Sequence, residues 1–200
     1  MFQTPYSNMA SRLYDPAKAV SAHISLPAGT EIPLLQEHLL PVFAHALSLQ
    51  DIEETLARVP VADLEGISWI LQLQPTRKEL VLRNSWAIYF HDLEIGRKRG
   101  EAIVLNARRP DERFFWDSSL RPVDTRELNK LRDEGHRVDK AKNGYWIVSP
   151  LQAISATQRR SLLHEVGHHV DYARGHERYL SQTVQAQEAF AERYASSLGS

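Results

Sequence analysis

The sequence predicts one α+β domain: helices first, then a mixed twisted sheet, then two helices that end the chain. Three observations predict it. Leu35, Leu39 and Phe43 fall at helical spacing near the start, four short apolar runs rich in β-branched and aromatic residues follow, and two breaker-free stretches of helix formers come last. With 42% hydrophobic residues among 200, the chain can bury a core without covalent staples.

Residues 1 to 30 are punctuated by Pro and Ser and weakly patterned, which predicts an arm on the surface of a domain spanning 31 to 200. Residues 30 to 47 read as a helix kinked at Pro41, and 49 to 58 as a shorter one. The period then changes. Runs at 67 to 73, 79 to 82, 86 to 90 and 102 to 105 predict four strands, with turns at Pro75-Thr76 and between Gly96 and Gly100. The run at 102 to 106 is the candidate edge strand. Residues 108 to 122 read as a long loop whose Phe114, Phe115 and Trp116 either roof a cleft or pack beneath it. A polar helix at 124 to 134 and a short strand at 145 to 148 complete the middle of the chain.

The next segment runs from Ile154 without Pro or Gly to a stop at Gly175, where a left-handed cap is expected. Ser155 and Gln158 have the spacing of a capping box. Within this helix stands His164-Glu165-Val166-Gly167-His168, the His-Glu-x-x-His pattern of zinc metallopeptidases. Residues four apart share a helix face, so His164 and His168 can direct two imidazole nitrogens at one ion. Glu165 stands beside that ion, placed to take a proton from water rather than to ligate. Leu163, Val166 and Val170 supply apolar contacts, and Gly167 permits the close approach of another backbone.

A second helix is expected over 181 to 195, buried through Ala186, Ala189, Phe190 and Tyr194. Glu188 and Glu192 are four apart on it and share a face. One of them can complete the metal site while the other orients a ligand or pairs with a cation. Asp171, three residues after His168, can accept an N–H from a ligand imidazole and fix its tautomer. His169 points away from the ligand face. With His23, His38, His45, His91, His136 and His176 it reads as an ordinary surface or packing histidine.

These motifs resemble the gluzincin metallopeptidases, in which the third zinc ligand is a glutamate on the helix after His-Glu-x-x-His. The local wording is most similar to the lethal-factor type: His164 to His168 followed by Val170-Asp171, then the Glu188 to Glu192 run with Phe190-Ala191 inside it. The resemblance covers about the last fifty residues. It implies a zincin-like domain, one zinc ion per chain held by His164, His168 and Glu188, Glu165 as general base, and a peptide or protein substrate paired with an edge strand. The lethal-factor type also carries a tyrosine seven residues before the ligand glutamate, to stabilise the oxyanion. That position is Ser181 here, so the part falls to Tyr179, expected on a loop, with Tyr172 as the other tyrosine nearby.

A zinc-dependent endopeptidase is therefore the expected function. The alternatives are a zincin-like regulatory or interaction module without turnover, which would not need Glu165, and a metal hydrolase acting on something other than peptides. A net charge of −1 and a pI near 6.8 give no electrostatic case for nucleic acid or an anionic membrane. No cysteine is present, so disulfides and thiolate ligation are excluded. No signal peptide and no membrane-spanning run are evident, which predicts a protein that is cytoplasmic or exported without a recognisable signal.

Overall fold

The computed structural model describes residues 19–77, 79, 85–118 and 125–199. Among them, eight strands form two sheets. The first five, β1 (Ala19–Ser25), β2 (Glu31–Glu37), β3 (Ile67–Leu73), β4 (Ala87–Ile95) and β5 (Lys98–Asn106), make a mixed sheet in the order β1-β2-β3-β5-β4. β2, β3 and β5 run parallel, and β1 and β4 are antiparallel additions at the two edges. β6 (Arg113–Asp117), β7 (Arg137–Ala141) and β8 (Gly144–Val148) form a small antiparallel sheet in the order β6-β8-β7. The helices among the described residues are α1 (Leu49–Leu56), α2 (Thr125–Asp133), α3 (Leu151–Ala173), α4 (His176–Ser181) and α5 (Val184–Ser197). The α+β class holds, with one large mixed sheet and one small one.

The core follows from strand alternation. Ile32, Leu34, Ile70, Ile103 and Leu105 point from one face of the large sheet onto Ile52 and Leu56 of α1, Leu162, Leu163, Val166 and Val170 of α3, and Ala195 of α5. Trp69, Leu71, Leu73, Ala102 and Val104 fill the opposite face. β3 is apolar on both faces because it is an inner strand with both sides buried. Each fully buried Leu or Ile in this interior contributes about 1.5–3 kcal/mol.

Several expectations need correction. Residues 30 to 47 are not a helix: β2 and irregular backbone replace it. Ile32 and Leu34 alternate inward, and pairing with β1 and β3 settles a pattern that local spacing left open between two periods. Pro33 is tolerated because registration with β3 begins only at Leu34. Of the arm expected over 1 to 30, the described part contains β1, whose Ile24 is fully buried. The strand expected at 79 to 82 falls outside the described residues except for Glu79, which is helical.

The helix expected at 49 to 58 is present as α1, closed by a reciprocal box between Ser48 and Asp51. The candidate edge strand at 102 to 106 is instead an inner strand. β4 lies at the edge beside α3. Phe114, Phe115 and Trp116 belong to β6, where Phe115 packs on Trp146 of β8 with ring centres 4.9 Å apart, rather than to a loop. β7 went unforeseen because Arg137, Asp139 and Lys140 give it no apolar run.

α3 starts four residues before Ser155, after Pro150, so the proposed capping pair lies inside the helix. There Gln158 Nε2 donates to the Asn106 carbonyl at 2.6 Å. Gly175 ends the helix at φ 170°, extended backbone open to any residue and not the left-handed cap expected.

Candidate metal centre

α3 passes beneath the edge of the large sheet and packs against α5. Gly167 makes that contact possible. A Cβ there would lie 2.7 Å from Ala191 Cα and 3.0 Å from its carbonyl oxygen, so only glycine lets the helices come this close. The buried face of α5 is set by Ala191 and Ala195, with Phe190 and Tyr194 partly buried, while Ala186 and Ala189 are exposed, contrary to expectation. The helix begins at Val184, after Thr183, whose hydroxyl accepts from Ala186 N.

This approach brings His164, His168 and Glu188 together, their ligand atoms all within 4.8 Å of one another. His164 Nε2 is 3.2 Å from Glu188 Oε2, and His168 Nε2 is 3.5 Å from Glu188 Oε1. Ligands of a tetrahedral ion with bonds of ~2.0–2.1 Å stand roughly 3.3 Å apart. The donor set and its spacing fit a metal ion, and these three residues could hold one. Glu188 is 57% exposed against 18% for His164, so the site opens to solvent on the glutamate side.

The charges within the group reinforce one another. Hydrogen bonds from His164 and His168 hold the Glu188 carboxyl well below the usual carboxylate range. Burial works to lower the His164 pKa, but the hydrogen bond to Glu188 and the charges of Glu165, Glu188 and Glu192 outweigh it and raise it. Glu165, which points to the sheet side, moves the other way: burial raises its pKa against the pull of the two histidines. Its Oε2 accepts the backbone N–H of Tyr89 at 2.8 Å, which no sequence signal indicated.

The remaining expected residues surround this group. Glu192 bonds Lys130 Nζ and stands 3.7 Å from His164 Nδ1, so it both pairs with a cation and faces a ligand ring. Tyr179 is in α4 rather than a loop and is buried. Its hydroxyl is 3.4 Å from His168 Nδ1, the ring nitrogen not directed at Glu188. Burial, with the charges of Glu165, Asp171 and Glu188, pushes that hydroxyl up to about 12. Asp171 is buried and bonds Arg178 rather than a ligand imidazole; its Oδ2 has no hydrogen-bond partner among the described residues.

His169 and His136 are packing histidines, as expected. His136 bridges Ser149 Oγ and Thr157 Oγ1 at 2.8 Å each, tying the small sheet to α3. No helix among the described residues is long and apolar enough to cross a membrane. Comparison of the chain with protein-family profiles, curated proteins and solved structures finds no match.

Proposed function

We propose that the protein is a zinc-dependent endopeptidase of the gluzincin type, in which His164, His168 and Glu188 hold one zinc ion and Glu165 is the general base. The observation that carries this reading is the convergence of three ligand atoms within 4.8 Å beside a buried carboxylate on the same helix. Zinc held by these two imidazoles and one carboxylate would supply Lewis-acid polarisation of a substrate carbonyl and would make a water at the site easier to deprotonate.

Glu165 has one oxygen engaged by Tyr89 N and the other available for proton transfer. It takes the proton of the attacking water and delivers it to the leaving nitrogen of the peptide. Burial raises its pKa, which strengthens it as the acceptor of that proton. β4, the edge strand beside α3, offers an extended peptide a row of backbone partners, and its exposed His91 and Asp92 lie beyond the segment that Glu165 holds. The order of mixed sheet, metal-binding helix and glutamate-bearing helix supports a zincin layout, and the lethal-factor-like wording of both helices supports a peptide substrate.

The test is Glu165→Gln. It should keep zinc and fold and lose peptide hydrolysis by a factor of roughly 10²–10⁴. Equal activity in the two proteins would sink the mechanism. A wild type that cleaves nothing across a broad peptide library, yet binds a partner only when zinc is present, would turn the reading to an interaction module.

A further inference from the structure

Helix α3 carries a second acidic and imidazole group, one turn beyond Glu165 and on the sheet side. His169 is 1% exposed, and both its ring nitrogens are engaged: Nδ1 lies 2.5 Å from Glu101 Oε2, and Nε2 lies 3.0 Å from the Glu65 carbonyl. Each ring nitrogen thus faces an oxygen, one from a side chain and one from the backbone. The Tyr89 hydroxyl donates to the same Glu101 oxygen at 2.5 Å. The sheet register explains why these groups meet. Tyr89 opposes Ile103, and Glu101 stands two residues from Ile103 on the same face, a diagonal pair aimed at α3. Gly66, at φ +101°, shapes the turn that brings the Glu65 carbonyl to the imidazole.

We infer that Tyr89, Glu101 and His169 form a clasp that positions the Glu165 carboxylate, with Glu101 and His169 as positioning residues. Tyr89 is held at two points: its N–H by Glu165 and its hydroxyl by Glu101. The second point matters because of where Tyr89 sits. β4 is an edge strand, and its pairing with β5 loses register between Phe90 and Leu93, one residue beyond Tyr89. The ladder alone fixes this stretch on one side only. The clasp fixes the other side, and through the Tyr89 N–H it sets which carboxylate oxygen of Glu165 is engaged and which is left to move a proton. The catalytic consequence rests on the endopeptidase reading; the clasp itself does not.

The experiment has one arm without metal and one with zinc. In the metal-free protein, Glu101→Ala should speed amide hydrogen exchange at Tyr89 by about tenfold or more and leave Ile103 at the sheet centre unchanged. In the zinc-loaded protein, Tyr89→Phe and Glu101→Ala should lower kcat about tenfold or more at unchanged KM and zinc content, since small misplacements of a reacting group cost up to about a hundredfold. Glu101→Gln, which can still accept from Tyr89, should recover most of the loss. Unchanged exchange at Tyr89 together with unchanged kcat overturns the clasp, and so does a loss of activity that merely follows loss of fold or zinc. If the wild type hydrolyses no peptide, the endopeptidase reading falls and the exchange arm alone decides the clasp. If hydrolysis is present and neither arm responds, the clasp falls and the endopeptidase reading stands.

Discussion

His168 and His169 are neighbours on one helix, and each stands near a glutamate from a distant part of the chain, Glu188 for one and Glu101 for the other. On the sheet side, His169 is sealed from solvent, both its nitrogens are taken, and the contact to Glu101 is 2.5 Å. On the α5 side, one glutamate straddles two imidazoles at 3.2 and 3.5 Å, and that glutamate is more than half exposed. A carboxylate near a histidine is therefore not what separates a metal site from a structural bridge. The separation lies in slack and convergence: two Nε2 atoms turned to one open point leave room for an ion, while a ring saturated by two close acceptors has none to offer.

Removing a metal ligand should have the largest effect. His164→Ala, His168→Ala or Glu188→Ala should abolish stoichiometric zinc binding and with it peptide hydrolysis, since three protein ligands leave no redundancy. Metal analysis at limiting zinc checks this; full occupancy in any one variant would remove that residue from the set. The stabilisation that zinc gives the wild type, about 2.7 kcal/mol at a hundredfold excess over Kd, should vanish with it.

The next effect reverses the roles of the two groups. In metal-free protein, His169→Ala strands a largely buried carboxylate and should destabilise the fold by about 2–3 kcal/mol. His164→Ala leaves behind a glutamate that is more than half exposed and should change stability by less than about 1 kcal/mol. Urea unfolding of both variants without metal measures the difference. Equal costs would mean that the two groups are not distinguished in the way their geometry suggests.

The two groups also differ in how far they can be read from sequence. The candidate metal group is local: His164 and His168 are one turn apart on α3, and Glu188 follows 20 residues later on α5, so helical spacing and a known motif suffice. The clasp joins residues 65, 89, 101 and 169, and nothing in their local spacing announces the contact. The same contrast runs through the fold. α1, β3, β8 and the glutamate helix were legible because their own patterns suffice. Local pattern alone misassigns β2 as helix and β5 as an edge, because neighbours decide both: β1 and β3 pair with the first, and β4 covers the second. One half of the His169 contact was accessible, since its four-residue offset from Glu165 places both on the sheet side of α3. Its carboxylate partner was not.

A smaller effect tests how tightly the two helices must approach. Gly167→Ala would set a methyl group 2.7 Å from the Ala191 backbone, which cannot rotate away. Overpacking of this kind costs about 1–3 kcal/mol. The gain in helix propensity of up to about 1 kcal/mol offsets part of it. A net loss near 1 kcal/mol is expected, together with weaker zinc binding, because α3 carries both histidines and α5 carries Glu188. Thermal melts and zinc titration check the pair of effects. A stable variant with unchanged zinc affinity would show that the centre does not depend on this close approach.

The smallest effect concerns Tyr179, whose hydroxyl admits two roles with opposite signatures. The lethal-factor resemblance gives it the oxyanion although it stands two residues before the position that type uses, and removing it should then lower kcat by roughly ten- to a thousandfold without touching zinc affinity. Its position in α4, with the hydroxyl 3.4 Å from His168 Nδ1, favours a different part: holding the imidazole so that Nε2 faces the ion. Residues in that role alter metal affinity by about 10–100-fold when removed. A contact as long as 3.4 Å belongs at the weak end of that range. Tyr179→Phe should therefore weaken zinc binding by about tenfold, and at saturating zinc it should keep kcat within about threefold of wild type. The phenylalanine preserves the packing against Tyr172, whose ring centre is 5.6 Å away, so the fold should be unaffected. A tenfold or greater fall in kcat at saturating zinc, with affinity unchanged, would return the hydroxyl to the oxyanion and leave His168 oriented by its helix alone.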